Sequence, residues 1–263
     1  MCLIVFKWAP NSQIPLTLAA NRDEFHQRPS LDAHFWEDEP AIFAGRDIEK
    51  GGTWLGIAKQ KQSHTFKLAA LTNFRCLDRT DYQHSRGEVT QNFLRTKHSA
   101  QAYTKQLNFD QYAGFNGLFF DGESLVYCHH ERNKKPEIIT LEEGIYGLSN
   151  AKLNTSWPKV ERTKAAFSKT CTQQPFEHMI RELFTHLKDT TIANDNELPQ
   201  TGVGIELERM LSPAFIISPS YGTRTSTVVV ISHEQSGQST YFEERQFSPK
   251  GKQIKAQIKT LKH

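Results

Sequence analysis

Behind Met1 the chain opens on five apolar residues in unbroken succession, Cys2-Leu3-Ile4-Val5-Phe6. Successive side chains of a strand point to opposite faces. A run with no polar position therefore offers no face to water and has to be covered on both sides. Two stacked sheets with helices outside them meet that requirement. The remainder reads in the order strands, helices, strands, helices, strands, which is the pattern of a layered α+β fold rather than of alternating βαβ units.

Apolar and β-branched runs predict strands over 2–7, 16–20, 41–44, 54–58 and 67–72, then over 116–120, 124–129 and 137–141. Pro10-Asn11-Ser12 turns the first two into a hairpin. Gly51-Gly52 marks another turn, where glycine permits positive φ. Helices are predicted over 87–97, with Ser85 as its cap, and over 100–107, 158–170 and 176–187. The last carries the stripe Met179, Ile180, Leu183, Phe184 and Leu187. Pro199 to Gly204 reads as a surface loop. Residues 225–232 and 239–247 read as a hairpin broken at Ser236-Gly237, and the lysines from Lys250 to Lys262 as a solvated basic tail.

The 263 residues contain no Pro/Gly/Ser-rich linker or charge block, so one domain over 1–263 is expected. A chain of this length can bury a core without disulfide staples. Cys2, Cys76, Cys128 and Cys171 are far apart and form no C-x-x-C pair, so zinc knuckles, thioredoxin motifs and c-type haem attachment are unsupported. Reduced thiols and the lack of a signal-peptide pattern point to a cytoplasmic protein. No stretch approaches the roughly 18 apolar residues of a membrane helix. A net charge of +3 gives no reason to expect nucleic acid. No metal is expected either, since spacings such as H-E-x-x-H are absent. The sequence specifies no oligomeric state.

Cys2 also carries chemistry. Removal of Met1, usual when the next residue is small, would leave an α-amine and a thiol on one residue. The amine titrates at about 7.7–8.0. It can take the thiol's proton, which is the self-contained nucleophile and base of an N-terminal-nucleophile enzyme. Otherwise a cysteine on a buried strand is inert packing.

The block Asn21-Arg22-Asp23-Glu24 follows the second predicted strand. In a hairpin that end lies beside the start of the first strand, and so beside Cys2. Asp23 is suited to orient the α-ammonium, and Arg22 to lower the thiol pKa and hold an anion. A solvated polar loop has the same composition. Adjacent residues of a strand point to opposite faces, so Arg22 and Asp23 can both face Cys2 only at a bulge or beyond the strand's end. Asn73 follows an apolar strand and Asn150 sits in a turn. Each can present a donor to an oxyanion or bond its own backbone. Arg224 precedes Val228-Val229-Val230, and an arginine entering a buried strand calls for an anion.

Asn21-Arg22-Asp23-Glu24 taken with Cys2 resembles the NRDE family, also called the transport and Golgi organisation protein 2 family. Gly51-Gly52-Thr53-Trp54-Leu55-Gly56, Leu71-Thr72-Asn73-Phe74-Arg75, Ser85-Arg86-Gly87, Gly147-Leu148-Ser149-Asn150 and Trp157-Pro158-Lys159 resemble further family segments. So does the stretch from Leu198-Pro199 through Thr201-Gly202 to Tyr221-Gly222-Thr223-Arg224. The resemblance implies the four-layer αββα sandwich of the Ntn-hydrolase type. It also implies links to haem trafficking, lipid and coenzyme-A metabolism and secretory-pathway organisation.

More distantly, the ordered set Cys2, Arg22, Asp23, Asn73, Asn150 and Arg224 is similar to that of Ntn hydrolases cleaving bile-salt amides and penicillin V. In those enzymes two residues separate the Arg from the Asp. Two expectations follow. One is a cysteine amidohydrolase acting on a small molecule through these six residues, with no cofactor required. The other is a carrier of haem or an acyl-CoA-like anion, with Asn21, Glu24, Trp54, Phe74 and Trp157 lining the pocket. For haem, the conceivable axial ligands are His129, His130, Tyr112, Tyr146, Tyr221 and Met210.

Overall fold

The computed structural model describes residues 2–60, 63–76, 80, 82–171 and 175–262. Thirteen strands and five α-helices are found among these residues. The strands are β1 (Cys2–Trp8), β2 (Leu16–Phe25), β3 (Ser30–Phe35), β4 (Ile42–Asp47), β5 (Leu55–Gln60), β6 (Thr65–Asn73) and β7 (Phe115–Phe120). They continue with β8 (Leu125–His130), β9 (Glu137–Thr140), β10 (Gly144–Leu148), β11 (Tyr221–Glu234), β12 (Gly237–Phe247) and β13 (Gln253–Lys262). The helices are α1 (Arg86–Arg95), α2 (Ala100–Gln106), α3 (Pro158–Thr170), α4 (Phe176–Leu187) and α5 (Ile205–Leu211).

Two antiparallel sheets result. The first has the order β10-β1-β2-β11-β12-β13, and the second runs β3 to β9 in chain order. The apolar run of β1 is split between two cores. Ile4, Phe6 and Trp8 pack with Leu18, Leu68, Leu118 and Phe120 between the sheets. Val5 packs with Ala19 against Phe167 of α3 and Leu183 and Phe184 of α4, while Leu3 meets Trp157 and Val160. On the far side of the second sheet, Val89 and Phe93 of α1 and Ala100 of α2 cover Ala69, Phe119 and Val126. Each fully buried large side chain of this kind is worth about 1.5–3 kcal/mol.

The predicted strands and the helices α1 to α4 are present, with shifted ends. Ser85 caps α1, its Oγ accepting from the Gly87 N–H in a reciprocal box with Glu88. Three differences bear on the site. β2 continues to Phe25, so the Asn21–Glu24 block lies within a strand and not after it, because β11 pairs along its whole length. The short strands β3 and β10 and the helix α5 lack a clean apolar period and depend on their neighbours. The basic segment is not a loose tail: β13 pairs with β12 as an edge strand, and its exposed lysines suit an edge that faces water.

The loop at Gly51-Gly52 fixes where α1 begins. A Cβ on Gly52 would lie 2.5 Å from the backbone carbon of Gly87. Only glycine permits this approach, which seats the start of α1 against the β4–β5 connection. Gly52→Ala is expected to lower stability by about 1–3 kcal/mol through overpacking, read by urea denaturation.

Candidate active site

β1 and β2 pair so that Cys2 stands directly opposite Arg22. Both side chains lie on the inner face of the first sheet. Thr225 of β11 is opposite Arg22 in turn, so Cys2, Arg22 and Thr225 form one row across three strands. The register between β2 and β11 slips at Arg224, which is the extra residue of a β-bulge. Before the bulge Thr223 accompanies Asp23; after it Thr225 accompanies Arg22. Arg22 and Asp23 thus keep opposite faces. The bulge is on the neighbouring strand and not on β2.

The inner row opens into a cavity of about 130 Å³. Its wall includes Cys2, Arg22, Asp23, Glu24, Trp54 and Asn73, six of the residues singled out from the sequence. Arg28, Arg46, Asp47, Arg86, Thr225 and Glu244 also line it. The cysteine is 7 % exposed. Burial raises its thiol pKa; the Asp23 charge acts in the same direction, while Arg22 and the Asp23 backbone N–H oppose it.

Asp23 is buried on the helix side of β2, where the Thr223 hydroxyl donates to its Oδ1 at 2.6 Å. Burial raises its carboxyl pKa as well, and Lys159 and Arg22 counter that rise. Lys159 itself is buried at the start of α3 and donates to the Leu211 carbonyl at 2.9 Å. Burial pushes it down to about 8 although Asp23 and Cys2 favour its charged form.

The other predicted residues are engaged elsewhere. Asn21 is fully buried on the helix side. Its amide donates to the carbonyls of Leu187 and Ala214 at 2.8 and 2.7 Å, and its oxygen accepts from Ser226. It thereby satisfies a carbonyl at the end of α4 that has no intrahelical donor. Asn150 donates to the Asn73 carbonyl at 2.8 Å, so its amide ties the turn after β10 to the end of β6. Arg224 forms no ion pair within 4 Å among the described residues; as the bulged residue it donates to the carbonyls of Phe25, His26 and Arg28 at 3.1, 3.2 and 2.9 Å. Phe74 meets His129 edge-on, and Trp157 lies beneath the Arg75 guanidinium. None of these five lines the cavity.

A buried polar network anchors the site from behind. The Ser149 hydroxyl donates to the Cys2 carbonyl at 2.9 Å. Thr72 donates to the Ser149 carbonyl at 2.6 Å and accepts from Asn116 at 3.0 Å. Tyr127 donates to the Asn116 oxygen at 2.8 Å, and His129 Nδ1 lies 3.0 Å from it. Burial pushes His129 down to about 4, so its ring is neutral near pH 7.

Sequence reasoning did not single out Arg86, Lys159 and Glu244 as site residues. The first two lay inside quoted segments, Ser85-Arg86-Gly87 and Trp157-Pro158-Lys159, but without a partner to give them meaning. Glu244 had no signal at all. It is buried on β12, accepts from the Ala33 N–H at 2.9 Å, and is raised to about 7 by burial.

Two outcomes are expected. Asn21→Ala leaves two carbonyls and a serine hydroxyl unsatisfied and should cost about 3 kcal/mol in urea denaturation. Glu244 binds a proton more tightly folded than unfolded. Its contribution is therefore greatest below its ordinary value of 4.5 and declines as pH rises towards 7. Between about pH 4 and about pH 8, wild type should lose about 3 kcal/mol relative to Glu244→Gln. Parallel pH profiles of stability would contradict this.

A family model for Transport and Golgi organisation 2 matches residues 1–248. The chain is 35% identical over 266 residues to the Transport and Golgi organization protein 2 homolog of Homo sapiens, covering 92% of each chain. It is 33% identical over 263 residues to the Mus musculus homolog, again covering 92% of each. The Drosophila melanogaster Transport and Golgi organization protein 2 is 28% identical over 257 residues, covering 89% of each. The match extends from Cys2 through the cavity-lining strands to β12, and the chain belongs to the transport and Golgi organisation 2 family.

Proposed function

We propose that this chain is an Ntn-type cysteine hydrolase of a small-molecule C–N amide, with Cys2 as nucleophile, within one four-layer αββα domain. The observation that supports the reading is that Cys2, Arg22, Asp23 and Asn73 all border one cavity at the start of β1, although the Asp23 carboxylate lies on the opposite face of β2 from the thiol. The reading requires a free α-amine on Cys2. Because burial holds the thiol protonated, attack needs a base at hand, and that amine is the nearest possible one.

The amine takes the thiol proton as Sγ bonds to the amide carbonyl carbon. Asp23 holds the resulting ammonium. Arg22, on the same face as the thiol, and donors at Asn73 stabilise the oxyanion. The tetrahedral intermediate collapses by breaking the C–N bond, and the ammonium returns its proton to the departing amine. Water then cleaves the thioester, giving the carboxylic acid and the free thiol. No cofactor enters these steps.

No observed contact favours the carrier reading. About 130 Å³ is below the roughly 300–1,000 Å³ of cofactor pockets, and none of the six candidate axial ligands lines the cavity. On these grounds the hydrolase reading is preferred to the haem carrier. Among the described residues no cluster of three His, Cys, Asp or Glu is arranged to hold a metal. Nor is any helix among them long and apolar enough to cross a membrane.

Intact mass before and after an electrophilic acyl probe tests the proposal. The expected result is protein lacking Met1 that gains one equivalent of label, at Cys2, with none in Cys2→Ala. Asp23→Asn should slow labelling about 10²-fold or more. Quantitative retention of Met1, or no labelling across varied acyl probes, would sink the mechanism.

A further inference from the structure

The cavity contains more arginine than a neutral amide requires. Three of its four guanidiniums are already matched by carboxylates. Arg28 binds Asp47 at 2.6 Å, and Arg46 binds Asp38 in bidentate fashion at 2.7 and 2.9 Å. Arg22 lies 3.4 Å from Glu24 and 3.8 Å from Asp47. Arg86 differs. Among the described residues no carboxylate oxygen lies within 4 Å of it, and its recorded hydrogen bond is to the Gly114 carbonyl at 3.2 Å. Burial lowers its pKa, opposed by the charges of Cys2, Cys76 and Glu24.

A guanidinium has five N–H donors, and one carbonyl leaves most of them open. Arg86 is half-buried, and a partly desolvated cation gains from a ligand that supplies the missing charge. A second observation points into the same space. The Thr225 Oγ1, in the cavity wall beside Arg22, is buried without a hydrogen-bond partner among the described residues. Among the described residues, the cavity thus holds an arginine with no carboxylate partner and a hydroxyl with no hydrogen-bond partner, on the face that carries the thiol.

We infer that Arg86 is the binding site for an anionic group, carboxylate or phosphate, on the substrate of Cys2, with Thr225 as an accessory donor. The substrate class is therefore an amide that bears an anion within a few bonds of its carbonyl. Arg86 binds that anion and takes no part in bond breaking. Guanidinium suits either anion, because its paired N–H groups match two oxygens at once. This inference rests on Cys2 as the reacting group, so its test separates the two.

The experiment uses the full chain and compares alkylation of Cys2 by iodoacetate and by iodoacetamide, followed by mass spectrometry of the Cys2 peptide. The reagents displace iodide by the same chemistry and differ in charge. Any change in thiol pKa caused by the substitution affects both rates alike and cancels in their ratio. In Arg86→Gln the ratio of iodoacetate to iodoacetamide rates should fall about tenfold relative to wild type, with Arg86→Lys retaining part of it. An unchanged ratio in a variant of unchanged Tm overturns the assignment.

Protection of wild type by inorganic phosphate but not acetate identifies a phosphate site, and the reverse a carboxylate site. Equal protection of wild type and Arg86→Gln counts against both. If Cys2 resists both reagents, the nucleophile reading fails, and the anion site is read independently in Cys2→Ala. There, phosphate or acetate should raise Tm by more than in Cys2→Ala/Arg86→Gln. Equal shifts would overturn the Arg86 assignment on that route too.

Discussion

Everything at the candidate site depends on β1 being covered on both faces. Its even positions belong to the core between the sheets and its odd positions to the core under α3 and α4. A one-residue slip of this strand would exchange the two sets and turn Cys2 away from the cavity. Burial of Ile4, Phe6 and Trp8 on one side and Leu3 and Val5 on the other opposes that slip. The same packing that makes the strand stable therefore decides which way its first side chain points.

Packing fixes the strand, while hydrogen bonds fix its end. The chain Cys2–Ser149–Thr72–Asn116 crosses from the first sheet to the second, and Tyr127 and His129 complete it. Ser149, Thr72, Asn116 and Tyr127 are each bonded to the next, which makes that part of a buried polar network rigid, whereas the His129 Nε2 has no partner among the described residues. Asn21 performs a related task on the helix side by tying β2 to the end of α4 and to Ala214. Within the four-residue block the labour is divided by strand alternation. Asn21 and Asp23 address the helix layer, and Arg22 addresses the thiol.

Burial sets the electrostatics. Cys2, Asp23 and Glu244 are all pushed towards their protonated forms, and Lys159 towards its neutral one, while Arg86 stays charged although burial lowers its pKa. Among the described residues, Arg86 is the cavity guanidinium with no carboxylate in ion-pair reach.

The sequence by itself determined a great deal. The unbroken apolar run required two covered faces, the 3.6-residue stripe of α4 required a helix, and Ser85 marked where α1 starts. These are local or periodic properties that neighbouring residues already carry. The approach of the Asn21–Glu24 block to Cys2 was also legible, because a hairpin brings its two ends together. The strands β3, β10 and β13 were not legible, since each is held by its partner strands rather than by its own composition. Nor could one sequence tell that the bulge falls at Arg224, that Asn150 and Trp157 are spent elsewhere, or that Arg86 and Glu244 share a cavity with a cysteine far away in the chain. Those outcomes come from which backbone groups and charges meet across sheets and helices, and only the tertiary structure decides that.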